Sequence, residues 1–319
     1  METSMHLSFI VPSYNEEENV KEFYQAFFET FGSTEYTYEL IFVDDGSTDN
    51  TLEELRVLAQ DNPCIRVISF SRNFSKESAI YAGLRNATGD IIGIIDADLQ
   101  QTPATALEMV RILETKPEYD CVAAFQENRR ENKILSKIKN YFYRVLSKSS
   151  QMDIIDNASD FRIFRDYVGK SLLDMTEYFR FSKGLFSWVG FNTYAYPYTP
   201  EERHAGTSKW SFFSLVRYAI EGIVSFTVAP LHIATILGFI TSAGAILYFI
   251  FVFIEKLLFG IPTPGYATIV GLILLIGGMQ LFVLGIMGEY IGRMYIQTKS
   301  RPIYIEKENF TSQDLDKKL

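Results

Sequence analysis

The 319 residues are 47% hydrophobic and 22% charged, with a formal net charge of −9. That composition supports a large buried core, and its acidic balance argues against a nucleic-acid partner. The two cysteines, Cys64 and Cys121, lack metal-ligand spacing and read as free thiols of a reducing compartment, and the first six residues carry no signal-peptide pattern.

His6-Leu-Ser-Phe-Ile-Val-Pro12 reads as a short strand, followed by the loop Ser13-Tyr-Asn-Glu-Glu17. Val20, Phe23, Tyr24, Phe27, Phe28 and Phe31 then recur on one face of a helix. Residues 38–43 form the next strand, with Asp44-Asp-Gly-Ser47 as its exit loop. A helix follows over residues 51–60, with Thr51 and Glu54 at capping-box spacing. A third strand covers 65–70. A polar loop then runs through Lys76 into a helix near 77–85, which Gly89 is placed to end.

The fourth strand, Ile91-Ile-Gly-Ile-Ile95, leads into Asp96-Ala-Asp98-Leu-Gln100. Thr102-Pro103 then opens a helix, with Thr102 as cap and Pro103 at its first position. Four rounds of strand, loop and helix predict an α/β, doubly wound, mostly parallel sheet. Its loops at the strand C-termini share one edge, where such sheets bind ligands. Tyr14-Asn-Glu16, Asp44-Asp45, Ser71-Arg-Asn73 and Asp96-Ala-Asp98 therefore converge on one cleft. If the chain stays extended, Asp96 and Asp98 point to the same side. With the Gln100 amide they would face one hard cation carrying phosphate oxygens; the alternative is that the two carboxylates only cap a loop. There is no Gly-x-Gly-x-x-Gly and no P-loop pattern, so neither a dinucleotide fold nor a P-loop site is indicated.

A further strand covers residues 120–125. Residues 129–148 interleave Lys and Arg with Tyr and Phe, which suits either a helix lying on anionic membrane or a solvated helix with one core face. Two apolar stretches, residues 231–254 and 267–291, each exceed the roughly 20 residues that cross a bilayer. An amphipathic helix over 212–228 leads into them. The chain is thus expected to divide into an α/β domain (1–210), an interfacial helix (211–229), two membrane helices (230–292) and a tail (293–319). Arg203, Lys209 and Arg217 precede the first stretch, and Arg293, Lys299, Arg301 and Lys307 accompany the second. The connection between them has only Lys256, beside Glu255. The positive-inside rule then predicts a multi-pass membrane protein, with its N-terminal domain and tail cytoplasmic.

Val11-Pro-Ser-Tyr-Asn-Glu16, Val43-Asp-Asp-Gly-Ser47, Ser71-Arg-Asn-Phe-Ser-Lys76, Asp96-Ala-Asp-Leu-Gln100, Ser159-Asp-Phe-Arg162 and Arg203-His-Ala-Gly-Thr-Ser-Lys209 occur in this order. Together with the two apolar stretches, they resemble a family-2 glycosyltransferase of the polyprenyl-phosphate type, and bacterial bactoprenol glucosyltransferases most closely. The likeness extends to about Ile305. It implies a GT-A-type fold and inverting transfer of a hexose from a nucleotide sugar to a polyprenyl phosphate. Glucose and a UDP-linked donor fit it best; the sugar and the base are not legible in the residues themselves.

On this sequence the resemblance places the nucleotide against Pro12, Tyr14, Glu16, Val43 and Asp45. It places Mg2+ or Mn2+ on Asp96, Asp98 and Gln100. Asp160 becomes a base or sugar-positioning carboxylate, so that Asp96, Asp160 and Arg203 carry catalysis. The lipid phosphate falls to Arg203, Ser208 and Lys209. The implied partners are the nucleotide sugar, the polyprenyl phosphate and the bilayer; a homo-oligomer is left open. The sequence departs from the pattern at Gln126, where many relatives have an Arg nearby; here Arg129 and Arg130 follow three and four residues later. The rival readings are a polysaccharide synthase, whose Gln-x-x-Arg-Trp motif is lacking, an enzyme of the dolichyl-phosphate-mannose-synthase type using GDP-mannose, and a non-catalytic scaffold.

Overall fold

The computed structural model describes residues 5–126, 158–199, 224, 227–259 and 265–316. The chain divides into two compact units: residues 1–219 with 302–319, and residues 220–301.

The first unit is built on an eight-stranded sheet in the order β7-β5-β6-β4-β1-β2-β3-β8. Strands β1 (His6–Ser13), β2 (Thr37–Asp44), β3 (Ile65–Phe70) and β4 (Ile91–Ile94) run parallel, linked by helices α1 (Val20–Phe31), α2 (Thr51–Asp61) and α3 (Lys76–Asn86). Helix α4 (Pro103–Thr115) leads to β5 (Cys121–Gln126). Strand β6 (Ala158–Arg165) enters antiparallel between β4 and β5, and β7 (Thr193–Tyr198) pairs with β5 in parallel. Two short helices, α5 (Asp166–Leu173) and α6 (Ser182–Trp188), lie between β6 and β7 in sequence. The sheet is thus mostly parallel and doubly wound, as its strand-helix alternation predicts.

The core follows from the apolar periodicities. The helical stripe of α1 buries Val20, Phe23, Phe27 and Phe31 completely. Phe27 stacks on Phe31 at 4.4 Å and meets Phe9 of β1 edge-on at 4.9 Å. On the other face, α3 lies so close to β1 that a Cβ on Gly83 would come within 2.2 Å of Ile10 Cγ2. Only glycine permits that approach.

The cap expected at Thr102 is present: its hydroxyl accepts from Thr105 N at 3.2 Å, with Pro103 opening α4. The capping box at Thr51 is not formed. Thr51 lies one residue inside α2, after Asn50. Its hydroxyl instead donates to Asp49 Oδ1 at 2.6 Å and accepts from Glu16 N at 2.8 Å. That contact ties the loop after β1 to the loop after β2, and it outcompetes a local cap because it satisfies a donor from a second loop.

Residues after the last of the sequence motifs and the apolar stretches also join the sheet. Strand β8 (Glu306–Thr311) pairs antiparallel with β3, and Arg56 forks onto both oxygens of Glu308 at 2.7 and 2.6 Å. Just before it, Tyr304 stacks on Phe70 at 4.7 Å and Ile305 O accepts from Ser71 N at 3.0 Å. The polar stretch Glu306-Lys-Glu-Asn-Phe-Thr311 buries mainly Phe310. Its pairing covers an edge strand that would otherwise leave backbone groups unmet.

The second unit is a pair of long helices, α7 (Ala229–Phe259) and α8 (Tyr266–Thr298). Both are long and apolar enough to cross a membrane, over Ala229–Glu255 and Gly271–Thr298. Residues 212–223, 225 and 226 of the expected interfacial helix, and the basic-aromatic stretch 129–148, lie outside the described residues.

Candidate active site

The C-terminal edge of the parallel strands gathers the predicted loops and concentrates backbone strain. Asn15 (φ 56°), Ser75 (φ 98°) and Leu99 (φ 58°) are non-glycine residues at positive φ, one in each of three strand-exit loops. Such conformations cost about 1–3 kcal/mol each and persist where surrounding contacts over-determine them. The contacts are present here. Asn15 Oδ1 accepts from Thr48 N at 2.9 Å, and Asn15 N donates to Ser47 Oγ at 3.0 Å. Gly46 (φ 66°) passes within 2.4 Å, measured from its would-be Cβ, of the Arg72 main chain, so the second and third loops press together where no side chain fits.

Among the residues expected to meet the nucleotide, Tyr14 exposes its ring at the mouth, and Glu16 accepts from Asn19 Nδ2 at 2.6 Å. Pro12 pairs in register with Val43, which is fully buried and presents no surface. Asp45 is buried too, and its two carboxylate oxygens accept from Phe74 N at 2.6 Å and Ser75 N at 2.9 Å. Burial pushes its pKa up to about 6, against those two amide hydrogen bonds, which favour the ionised form. Asp45 thereby clamps the strained turn at Ser75 from below.

Strand β4 ends at Ile94, so Asp96 to Gln100 is a turn and not an extended segment. The same-side argument for Asp96 and Asp98 therefore does not apply: left-handed Leu99 folds the chain back, and Asp98 Oδ1 accepts from Gln100 N at 3.2 Å. Asp96 turns to a cation instead. Lys76 Nζ lies 2.5 Å from Asp96 Oδ1 and 3.5 Å from Asp160 Oδ2. The sheet explains this meeting. The antiparallel β4–β6 ladder ends at Ile94 and Arg162, and Asp96 and Asp160 each lie two residues beyond that end, so both are carried to the same end of the sheet.

Burial would drive the Lys76 ammonium down, but Asp96 and Asp160 outweigh it and hold its pKa above the ordinary lysine value. Burial would likewise raise Asp160; Lys76, then Lys183 and Arg162, reverse this and hold it below the ordinary aspartate value. Neighbouring Glu77 is pushed up by burial and by the charge of Asp160, while both its oxygens accept from Ser182 N at 3.0 Å. Asp160 Oδ1 is buried and finds no hydrogen-bond partner among the described residues. Lys76 and Glu77 were not singled out from the sequence. Lys76 ends one of the motifs, but a lone lysine at a helix start carries no signal until the sheet brings it to two carboxylates. Arg203, Ser208, Lys209, Arg129 and Arg130, and the side chain of Gln126, lie outside the described residues.

Among the described residues, no group of three or more His, Cys, Asp or Glu side chains could by itself hold a metal ion. A hard divalent ion that also binds a diphosphate needs fewer: one or two carboxylates, with phosphate and water oxygens completing the shell. The all-oxygen donors of Asp96 and Asp98 fit that chemistry.

Comparison with known proteins agrees with this architecture. Residues 8–173 match the family described as Glycosyl transferase family 2, and residues 229–294 match the GtrB C-terminal hairpin. The chain is 41% identical to the putative glycosyltransferase CsbB of Bacillus subtilis (strain 168), over 97% of this chain and 94% of that one. It is 38% identical to the bactoprenol glucosyl transferase of Shigella phage SfX, over 95% and 99% of the two chains. Among solved structures, glucosyl-3-phosphoglycerate synthase from Mycobacterium tuberculosis in complex with phosphoglyceric acid aligns at 17% identity and a TM-score of 0.47, covering 70% of this chain and 79% of that one. The two matches run in chain order over the sheet unit and the apolar helical pair, and the likeness to CsbB spans nearly both chains: the protein belongs to glycosyltransferase family 2 and is a glycosyltransferase carrying the GtrB-type C-terminal hairpin.

Proposed function

We propose that this enzyme transfers glucose, with inversion, from a UDP-linked donor to undecaprenyl or another polyprenyl phosphate at the cytoplasmic face of the membrane. The observation that carries this reading is near-full-length likeness to a protein named bactoprenol glucosyl transferase. The mouth that joins Asp96 and Asp160 through Lys76 supports it.

Pro12, Tyr14 and Glu16 take the base and ribose, with Val43 and Asp45 holding their loops from behind. Asp98, with Asp96 and Gln100, holds Mg2+ or Mn2+, which when bound offsets the charge growing on the departing diphosphate. Arg203, Ser208 and Lys209 clamp the lipid phosphate, for which an arginine fork is suited. A phosphate monoester has a second pKa near ~6 and is largely dianionic at neutral pH, so it is a ready nucleophile. Asp160 therefore orients the reactants and need not remove a proton. Its depressed pKa fits a carboxylate that stays charged.

The topology has a second support besides the positive-inside pattern. Strands β7 and β8, one before and one after the hairpin in sequence, belong to one sheet. A chain that crosses the membrane through α7 must return through α8 to supply β8.

The test is an assay of the detergent-purified full chain with undecaprenyl phosphate and, in turn, UDP-glucose, UDP-galactose, UDP-N-acetylglucosamine and GDP-mannose. UDP-glucose should give lipid-linked glucose, EDTA should stop it, and Asp98→Asn should cut turnover about a hundredfold or more. Preference for GDP-mannose would select the mannose-synthase reading, and metal-independent transfer would remove the cation from the mechanism.

A further inference from the structure

We propose that Lys76 is the resident counter-cation of the active site: it holds Asp96 and Asp160 while donor is absent, and yields Asp96 to the divalent ion when the nucleotide arrives. This rests on the reading of Asp96 and Asp98 as cation-holding residues. Three features point to it. The first is position. One ammonium, with three donors, reaches a carboxylate in the turn after β4 and one on β6, at 2.5 Å and 3.5 Å. One of those carboxylates belongs to the pair that would hold the metal.

The second is that this lysine is aimed against local preference. Lys76 is the first residue of α3, where the helix dipole disfavours a positive charge. The preceding Ser75 sits at φ 98° and ψ 156°, a region that suits glycine, and Asp45 commits both oxygens to holding that turn. A side chain leaving the first turn of a helix leans back toward its N-terminus. Here that direction leads to the mouth.

The third is the asymmetry of Asp160. Its Oδ2 faces Lys76 while its buried Oδ1 has no hydrogen-bond partner among the described residues. Lys76 thus neutralises the carboxylate and leaves one oxygen to accept from a substrate group.

Charge bookkeeping then sets the order of binding. With Lys76 on Asp96, a divalent ion alone meets a half-neutralised site and binds poorly. A nucleoside diphosphate brings its own negative charge, which draws in the ion and offers the ammonium a new anion. The side chains of Lys76 and Asp96 are 37% and 29% exposed, so solvent screens part of this competition.

The test is Mn2+ binding followed by electron paramagnetic resonance on the full chain in detergent, with and without UDP. Without UDP, Lys76→Met and Lys76→Gln should bind Mn2+ at least about tenfold more tightly than wild type, while Lys76→Arg stays weak. Thermal unfolding identifies which of the two neutral variants is folded, and either one suffices; if neither folds, Lys76 is a structural brace and the proposal falls. Nucleotide-free affinity unchanged or weakened in a folded neutral variant overturns it too. Mn2+ binding with UDP in wild type, lost in Asp98→Asn, tests the underlying reading separately. If that binding is lost as expected while Lys76→Met gains nothing, only the role of Lys76 is refuted.

Discussion

The sheet unit and the helical hairpin use the same apolar residues in opposite ways. Phe27 of α1 is completely buried between β1 and its own helix, whereas Phe253 of α7 is 57% exposed. In the sheet unit an apolar side chain faces protein because strands and helices have two faces to close on one another. In the hairpin two helices alone cannot enclose their own circumference, so their outward side chains require an apolar solvent. The polar groups divide similarly: the strained, charge-dense turns gather at one sheet edge, while the candidate spans are nearly free of charge.

Substitutions of one kind placed in both regions test this contrast. Phe27→Ala should destabilise the sheet unit by about 3–5 kcal/mol, because it removes a packed ring and leaves a cavity. Phe253→Ala should cost under about 1 kcal/mol in the same denaturation measurement on detergent-solubilised protein. Equal losses would contradict the contrast.

Next in size is a charge. Leu281→Arg, near the middle of α8, should cost about 3 kcal/mol of membrane insertion and reduce the carbonate-resistant fraction. Val57→Arg, at an exposed position of α2, should change stability by less than about 0.5 kcal/mol. If Leu281→Arg inserts as well as wild type, α8 is not a span.

A pH series probes the charge-dense edge. The folded pKa of Asp45, about 6, exceeds the ordinary value of 3.8, so between these values the folded state binds more protons than the unfolded one. Its contribution to stability is therefore greatest below about pH 4, declines as pH rises to about 6, and is flat above, by about 2–3 kcal/mol in all. Urea midpoints of wild type against Asp45→Asn at pH 4.5 and 6.5 check this; a slope that survives in Asp45→Asn would assign it to other groups.

The smallest effect concerns the strand after the hairpin. Arg56→Ala breaks the fork onto Glu308, which is about a third exposed, and should cost about 1 kcal/mol. Faster hydrogen exchange should then appear in β8 and not in β1. Uniform exchange across the sheet would show that β8 is held by its ladder and Phe310 alone.

The sequence by itself determined the elements whose signal is local and periodic. Period-3.6 phenylalanines made α1, short apolar runs ending in acidic loops made β1, β2 and β4, and two uncharged stretches made the hairpin. Topology rules then sent the exit loops to one edge, which is why Asp45, Asp96 and Asp98 were legible as a cluster. Tertiary structure alone decided what is non-local. The antiparallel ladder of β6 on β4 carries Asp160 and Asp96 to the same end of the sheet, and a strained turn clamped by Asp45 aims Lys76 at both. Polar Glu306–Thr311 becomes a strand only because β3 offers an open edge. None of these contacts joins residues near in sequence, so no periodicity records them; they exist because distant backbones meet in register and the charges they bring together must be neutralised.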